Sequence, residues 1–201
     1  MYRFIESIRL ENGKFPLLEE HQLRLSKTFN HFGHFNPFIL DEVISVPEEY
    51  LNGIFKCRVV YDLHGKVSVE FVPYRIKKLS TFCLVDIGSA DYPYKFEDRQ
   101  WIMDLLNKSE EDEIIMCRNG EINDSSYANL VFFDGDQWVT PKHPLLQGTR
   151  RARLLKASII KERIIRDNEI FNFHQFKCIN AMISWEETPV YQIGQIKKTI
   201  S

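Results

Sequence analysis

Cysteine is scarce and scattered. The four residues, Cys57, Cys83, Cys117 and Cys178, form no CxxC pair and no dense framework. That spacing argues against a disulfide-stapled scaffold and leaves reduced cytoplasmic thiols as the simple reading. No apolar run approaches the roughly 18 residues of a membrane span. The opening stretch, MYRFIESIRLENGK, scatters charges where a secretory leader would place an apolar core, so no leader is expected. Neither charge dominates: 26 Lys and Arg face 28 Asp and Glu, for a net charge of −2. A general binder of nucleic acid or anionic membrane normally shows a basic surplus, so neither partner is expected. Internal repeats and low-complexity tracts are absent as well.

What is present is ordinary globular material. The 201 residues suffice for one large domain or two small ones, and 15 phenylalanines promise an aromatic core. YRFIESIRL alternates like a strand, ENGK reads as a turn, and KFPLL is expected to return as a second strand. EEHQLRLSKTFNHF has helical spacing with acids in its first turn, and DEVISV predicts a short second helix. IFKCRVVYD and KVSVEFVPY read as a hairpin, TFCLVDIG as a strand, and FEDRQWIMDLLNK as a helix. DEIIMCRNGEIND and ANLVFFDGDQWVTP each read as strand, tight turn and return strand. GTRRARLLKASIIKERIIR is predicted as one long helix, and EIFNF and KCINAMIS as strands. Hairpins grouped between helices indicate an α+β fold rather than strict βαβ alternation. The polar stretch VPYRIKKLST suggests a boundary, giving a small N-terminal domain at 1–75 and a larger domain at 76–201.

Several segments carry candidate chemistry. In YPYKFEDRQW, Lys95 stands between Tyr94 and Phe96. A surface lysine laying its stem on apolar rings is the ordinary explanation. A lysine in a dry pocket, with a lowered pKa and nucleophilic character, is the alternative. Gly148-Thr149 opens a basic helix. A glycine before a helix N-terminus can cradle phosphate, because unpaired N–H groups and the helix dipole point the same way. A solvated cationic face with a threonine cap is the plain alternative, and nucleic-acid binding through it is disfavoured by the overall charge. HFGHF places two histidines three apart, but zinc would need further ligands, so packing at a helix end is expected. Trp185-Glu186-Glu187 would direct neighbouring carboxylates to opposite faces. In INDSSYANLVFF, Asp124 taken alone is a turn acid.

These pieces occur in one order: HQLRL, YK..DR, NDSSYANLVFF, a Gly-Thr helix start, and INAM. Taken together, from about residue 4 to residue 190, they resemble the class IV aminotransferase family of pyridoxal-phosphate enzymes. That family includes branched-chain aminotransferases, D-amino-acid aminotransferases and 4-amino-4-deoxychorismate lyases. The K-x-x-D-R run at Lys95, DEIIMCRNGEIND, YANLVF and INAM are most similar to the lyase branch. The resemblance implies a fold-type IV architecture like that of D-amino-acid aminotransferase, with a barrel-like larger domain and the cofactor at the domain interface. It also implies a homodimer.

The implied cofactor is pyridoxal 5'-phosphate. Lys95 would condense with its aldehyde and move protons at the substrate carbon, with the flanking aromatics drying the site. Arg24 would hold the phosphate with the backbone N–H groups of Thr149 and Arg150. Asp124 falls where the family has a glutamate facing the ring nitrogen. Asn180, Ala181 and Met182 align with a segment near the phosphate and the substrate carboxylate. The implied reaction releases pyruvate from a small-molecule substrate and leaves 4-aminobenzoate for folate biosynthesis. The alternatives are an aminotransferase acting on branched-chain or D-amino acids, and a non-catalytic relative serving as a binding module. Three departures stand out. Family members usually carry a longer segment before FIES. Asp124 is one methylene shorter than glutamate. Ala181 lacks a hydroxyl that aminotransferase members often have, as does the lyase branch.

Overall fold

The structure, a computed structural model, describes residues 2–197. The chain forms two units. The first comprises Met1–Ile76 together with Tyr94–Asp98 and Ala181–Ile183. The second comprises Lys77–Pro93, Arg99–Asn180 and Ser184–Ser201.

The first unit contains β1 (Arg3–Glu11), α1 (Leu18–His31), α2 (Leu40–Val43), β2 (Ile54–Asp62) and β3 (Val67–Pro73). Its antiparallel sheet has the order β1-β2-β3. Strand β1 pairs with β2 along its whole length, from Arg3↔Asp62 to Glu11↔Ile54. Alternation on β1 sends Phe4, Ile8 and Leu10 into the core. Leu25 and Phe29, one helical turn apart on α1, share one cluster with Phe4 and Ile8. Each such fully buried side chain contributes about 1.5–3 kcal/mol. The expected return strand KFPLL does not form. Asn12 and Gly13 turn the chain with φ of 47° and 74°, and one bridge follows, Glu11↔Lys14. Pro16 has no N–H to extend a ladder, and α1 begins at Leu18.

The second unit contains β4 (Phe82–Asp86), α3 (Gln100–Ser109), β5 (Glu113–Arg118), β6 (Glu121–Ser125), β7 (Asn129–Phe133) and β8 (Trp138–Pro141). It continues with α4 (Thr149–Lys156), β9 (Lys161–Arg163), β10 (Gln175–Ile179), β11 (Tyr191–Gln192) and β12 (Ile196–Lys197). The sheet runs β11-β10-β7-β6-β5-β4-β12, with β8 on β7 and β9 on β8. Asn119 and Gly120, both at positive φ, make the tight β5–β6 turn read from the NG pair. Phe82, Leu130, Phe132 and Phe176 are fully buried at its centre, with Phe82 and Phe176 edge to face at 4.9 Å.

Two expectations fail in this unit. The long basic helix stops at Lys156. Ser158 takes a left-handed φ of 57°, and Lys161–Arg163 then pairs in parallel with β8. Branched isoleucines after the turn suit a strand better than a further helical turn. EIFNF is not a strand either, because Asp167–Asn172 winds as a 3₁₀ helix. It buries Ile170, and Phe173 just past its end is buried too. Among the described residues no helix is long and apolar enough to cross a membrane.

Candidate active site

In the first unit, strand β1 organises everything. Its free edge carries residues 94–98. The Ile5 N–H donates to the Lys95 carbonyl at 2.9 Å, and the Glu97 N–H donates to the Arg3 carbonyl at 2.8 Å. The rings flanking Lys95 pack into the unit's aromatic cluster. Phe96 lies 5.2 Å from Phe4, and Tyr94 lies 5.3 Å from Phe32 and 4.5 Å from the His31 ring. The aromatics expected to dry the site therefore act as anchors for the backbone on both sides of Lys95. Outside the strand pairing, Glu97 is also held by Arg58 at 2.7 Å and Arg3 at 3.0 Å.

The core-facing side of β1 carries Glu6, a charge at a position whose neighbours in phase are Phe4 and Ile8. Glu6 is fully buried. Its carboxylate accepts from Arg24 Nε at 3.0 Å, from Arg24 Nη2, and from His21 Nδ1 at 2.5 Å. Burial pushes the Glu6 pKa up, but Arg24 and then His21 overcome it and bring the value down to about 2. Burial is also the first cause lowering the pKa of His21, with Arg24 and Lys95 adding to it against Glu6. A carboxylate only accepts, so His21 must donate its Nδ1–H. Arg24 is thus set by a fixed carboxylate, and Lys95 is close enough for its charge to act on the same cluster.

In the second unit, Asp124 on β6 faces Asn129 on β7 across the hairpin. The Asn129 amide donates to Asp124 Oδ1 at 2.7 Å and to the Leu146 carbonyl at 2.8 Å. The Leu146 N–H donates to Asp124 Oδ2 at 2.9 Å. Burial raises the Asp124 pKa to about 6, opposed by these hydrogen bonds. Asn129 also explains Gly148. A Cβ on Gly148 would stand 1.9 Å from Asn129 Oδ1. The glycine is required by close approach, since its φ of −73° is open to any residue. It lies directly before α4, so Asn129 ties Asp124 to the helix N-terminus at Thr149 and Arg150. The first N–H groups of a helix have no partner within it and attract anions.

The cationic face of α4 is not simply solvated. Arg151 is buried, donating to the Pro141 carbonyl at 2.9 Å, Glu162 at 2.7 Å and Thr140 at 3.3 Å. It fastens the helix to β8 and β9. Of the site residues expected from sequence, Lys95, Arg24, Ala181 and Met182 belong to the first unit. Asp124, Thr149, Arg150 and Asn180 belong to the second. Glu6, His21 and Asn129 were not foreseen. Their signals are slight: an acid at a core-phase strand position, a histidine three residues before Arg24, and an asparagine heading an apolar strand.

The residues fit a phosphorylated pyridine cofactor. Asp124 is a buried acid whose hydrogen bonds come from neutral donors, the state a cationic ring nitrogen would relieve. The mixed α+β architecture with these two residue sets is the fold-type IV class. Residues 101–193 match the family described as amino-transferase class IV. An uncharacterized protein of Haemophilus influenzae is 34% identical over 186 residues, covering 90% of this chain and 98% of that one. A crystal structure titled as a putative 4-amino-4-deoxychorismate lyase from Haemophilus somnus is 33% identical with a TM-score of 0.84, covering 90% of this chain and 97% of that one. A hypothetical aminotransferase from Mycobacterium tuberculosis, in a PLP-bound form, shares the fold at 15% identity and a TM-score of 0.79, covering 97% and 81%. The chain belongs to the class IV aminotransferase family, whose members are pyridoxal-phosphate-dependent enzymes. The chain spans nearly the whole length of the two Haemophilus proteins but 81% of the Mycobacterium tuberculosis aminotransferase.

Proposed function

We propose that the protein is a pyridoxal 5'-phosphate-dependent lyase that releases pyruvate from 4-amino-4-deoxychorismate and leaves 4-aminobenzoate. The observation that carries the cofactor reading is the Asp124–Asn129–Gly148 arrangement. It offers a buried acid for a ring nitrogen and a helix start for a phosphate. The lyase reading is supported by the likeness to the Haemophilus somnus protein along nearly its whole length.

When bound, the cofactor supplies an electron sink for a carbanion at the substrate's amine-bearing carbon. Lys95 would hold the cofactor through its aldehyde, and would be freed as a base when the substrate amine binds there. Its Nζ removes the proton from the carbon bearing that amine, and returns a proton to the enolpyruvate group as it departs as pyruvate. Asp124 holds the proton on the ring nitrogen. Arg24, oriented by Glu6, would hold the phosphate, as would the N–H groups of Thr149 and Arg150, and a fixed fork suits that anion. Asn180 would face the phosphate, and the backbone at Ala181 and Met182 would receive the substrate's carboxylate.

The first test is the visible absorbance of the purified protein mixed with pyridoxal 5'-phosphate, wild type beside Lys95→Ala. A band in the wild type, bleached by borohydride and absent in the variant, is expected. No band in either protein would turn the reading to a cofactor-free binding module. Product assays then separate lyase from aminotransferase. Pyruvate released from 4-amino-4-deoxychorismate marks the lyase. Amino transfer from a branched-chain or D-amino acid to a keto acid, without that release, marks the transferase.

A further inference from the structure

The outer face of β1 carries one anomaly. Arg3 on that face is exposed, and Ile5, Ser7 and Glu11 are half-buried. Arg9 among them is only 3% exposed. Its guanidinium grips Glu11 with two donors, Nε to Oε2 at 3.2 Å and Nη2 to Oε1 at 3.1 Å. Its Nη1 donates to the Met182 carbonyl at 2.8 Å, across 173 residues of chain.

Burying an arginine is unfavourable unless its donors are used. An apolar residue would cover the same face at less expense, so packing does not explain the choice. What an apolar side chain cannot do is hold a carbonyl. Glu11 keeps 39% of its side chain in solvent, so the ion pair sits at the rim and the carbonyl bond at the buried end. That bond fixes the plane of the Met182–Ile183 peptide, because a trans peptide is rigid. Upstream, Ile179 is the last residue of β10 paired with β7. The segment between them has no regular structure of its own.

We propose that Arg9 is a positioning residue for substrate: it locks the Met182 peptide so that the Ala181–Met182 backbone is preset for the substrate carboxylate. This rests on the assignment of those two residues to substrate made above. Arg9 touches neither substrate nor cofactor. Its removal weakens substrate binding and leaves cofactor loading alone.

The test compares wild type, Arg9→Met and Arg9→Lys, each loaded with pyridoxal 5'-phosphate. Arg9→Met is expected to raise KM for 4-amino-4-deoxychorismate about tenfold, with kcat within about twofold. Cofactor affinity, read from the visible band, stays at the wild-type value. Amide hydrogen exchange across residues 181–184 becomes faster. Arg9→Lys, which keeps a donor for the carbonyl, recovers part of both effects. An unchanged KM in a folded Arg9→Met overturns the proposal. So does a loss of cofactor affinity equal to the change in KM, which would mark a merely structural residue. If wild type instead transfers amino groups, the lyase reading falls and the same split is read with the amino acid that serves as donor. If wild type turns over neither, the functional reading falls and exchange alone judges Arg9. Unchanged exchange at 181–184 overturns the clamp, and faster exchange upholds it.

Discussion

Each unit buries a carboxylate beside its own candidate residues, Glu6 in the first and Asp124 in the second, and the two are treated in opposite ways. Glu6 is surrounded by Arg24 and His21 and is held at a pKa of about 2. Asp124 is buried too, yet its hydrogen bonds come from a neutral amide and a backbone N–H, and it is raised to about 6. Burial acts upward on both. The difference lies in whether a cation is hydrogen-bonded to the acid: Arg24 is bonded to Glu6, whereas Arg151 acts on Asp124 only through its charge. Glu6 is therefore a finished ion pair that orients another residue. Asp124 is an unfinished one, complete only when a positive group arrives. A structural acid and a binding acid are thus told apart by their partners and not by their depth.

The largest effect that would test this contrast is on catalysis. Lys95→Ala should cut product formation about 100-fold or more, read by pyruvate release, since a positioned proton-transfer group contributes that much. An unchanged rate would remove Lys95 from the chemistry. Next, Glu6→Gln should destabilise the fold by about 3 kcal/mol, because it leaves Arg24 without its buried partner. For a chain of this size that lowers Tm by roughly 6–12 °C, read by thermal denaturation. A change near zero would mean that Glu6 is no anchor. Gly148→Ala should cost about 1–3 kcal/mol by forcing Asn129 aside. It should also weaken pyridoxal phosphate binding in a spectral titration, and retained affinity would uncouple Asp124 from the helix start.

The smallest effect is in pH dependence, and the two acids should oppose each other. Asp124 binds its proton more tightly folded than unfolded. Cofactor-free protein should therefore lose stability as pH rises from about 4 to about 6, compared with Asp124→Asn. Glu6 binds its proton less tightly folded. Its contribution is present above the ordinary glutamate value of 4.5 and is lost as pH falls toward 2. Melting curves of the two variants against pH resolve both windows. Adding pyridoxal phosphate should flatten the Asp124 window and leave the Glu6 window in place.

Much of the fold was legible where signals are local. The helical spacing of Leu25 and Phe29, the NG turn at Asn119-Gly120, and the hairpin from Ile54 to Pro73 all follow from neighbours in the chain. The failure at KFPLL comes from Pro16 and the early start of α1, and at residues 161–163 the distant strand β8 offered pairing that local pattern does not reveal. The site divides the same way. Lys95, Arg24, Asp124 and Gly148 lie in short motifs that a sequence exposes. Their supports, Glu6, His21, Asn129 and Arg9, do not, because each works through a partner brought near only by folding. Glu6 meets Arg24 across 18 residues and Arg9 meets Met182 across 173.

That last separation has a consequence for how the molecule is made. Strand β1 precedes every one of its partners in the chain: β2, residues 94–98 and finally Met182. Long-range pairing of this kind is slow, and an early strand must wait with its polar edge open. The contacts of β1 therefore stay incomplete until residue 182 has been made. A nascent chain halted before residue 182 would carry Lys95 and Arg24 with the Arg9 anchor still lacking its carbonyl.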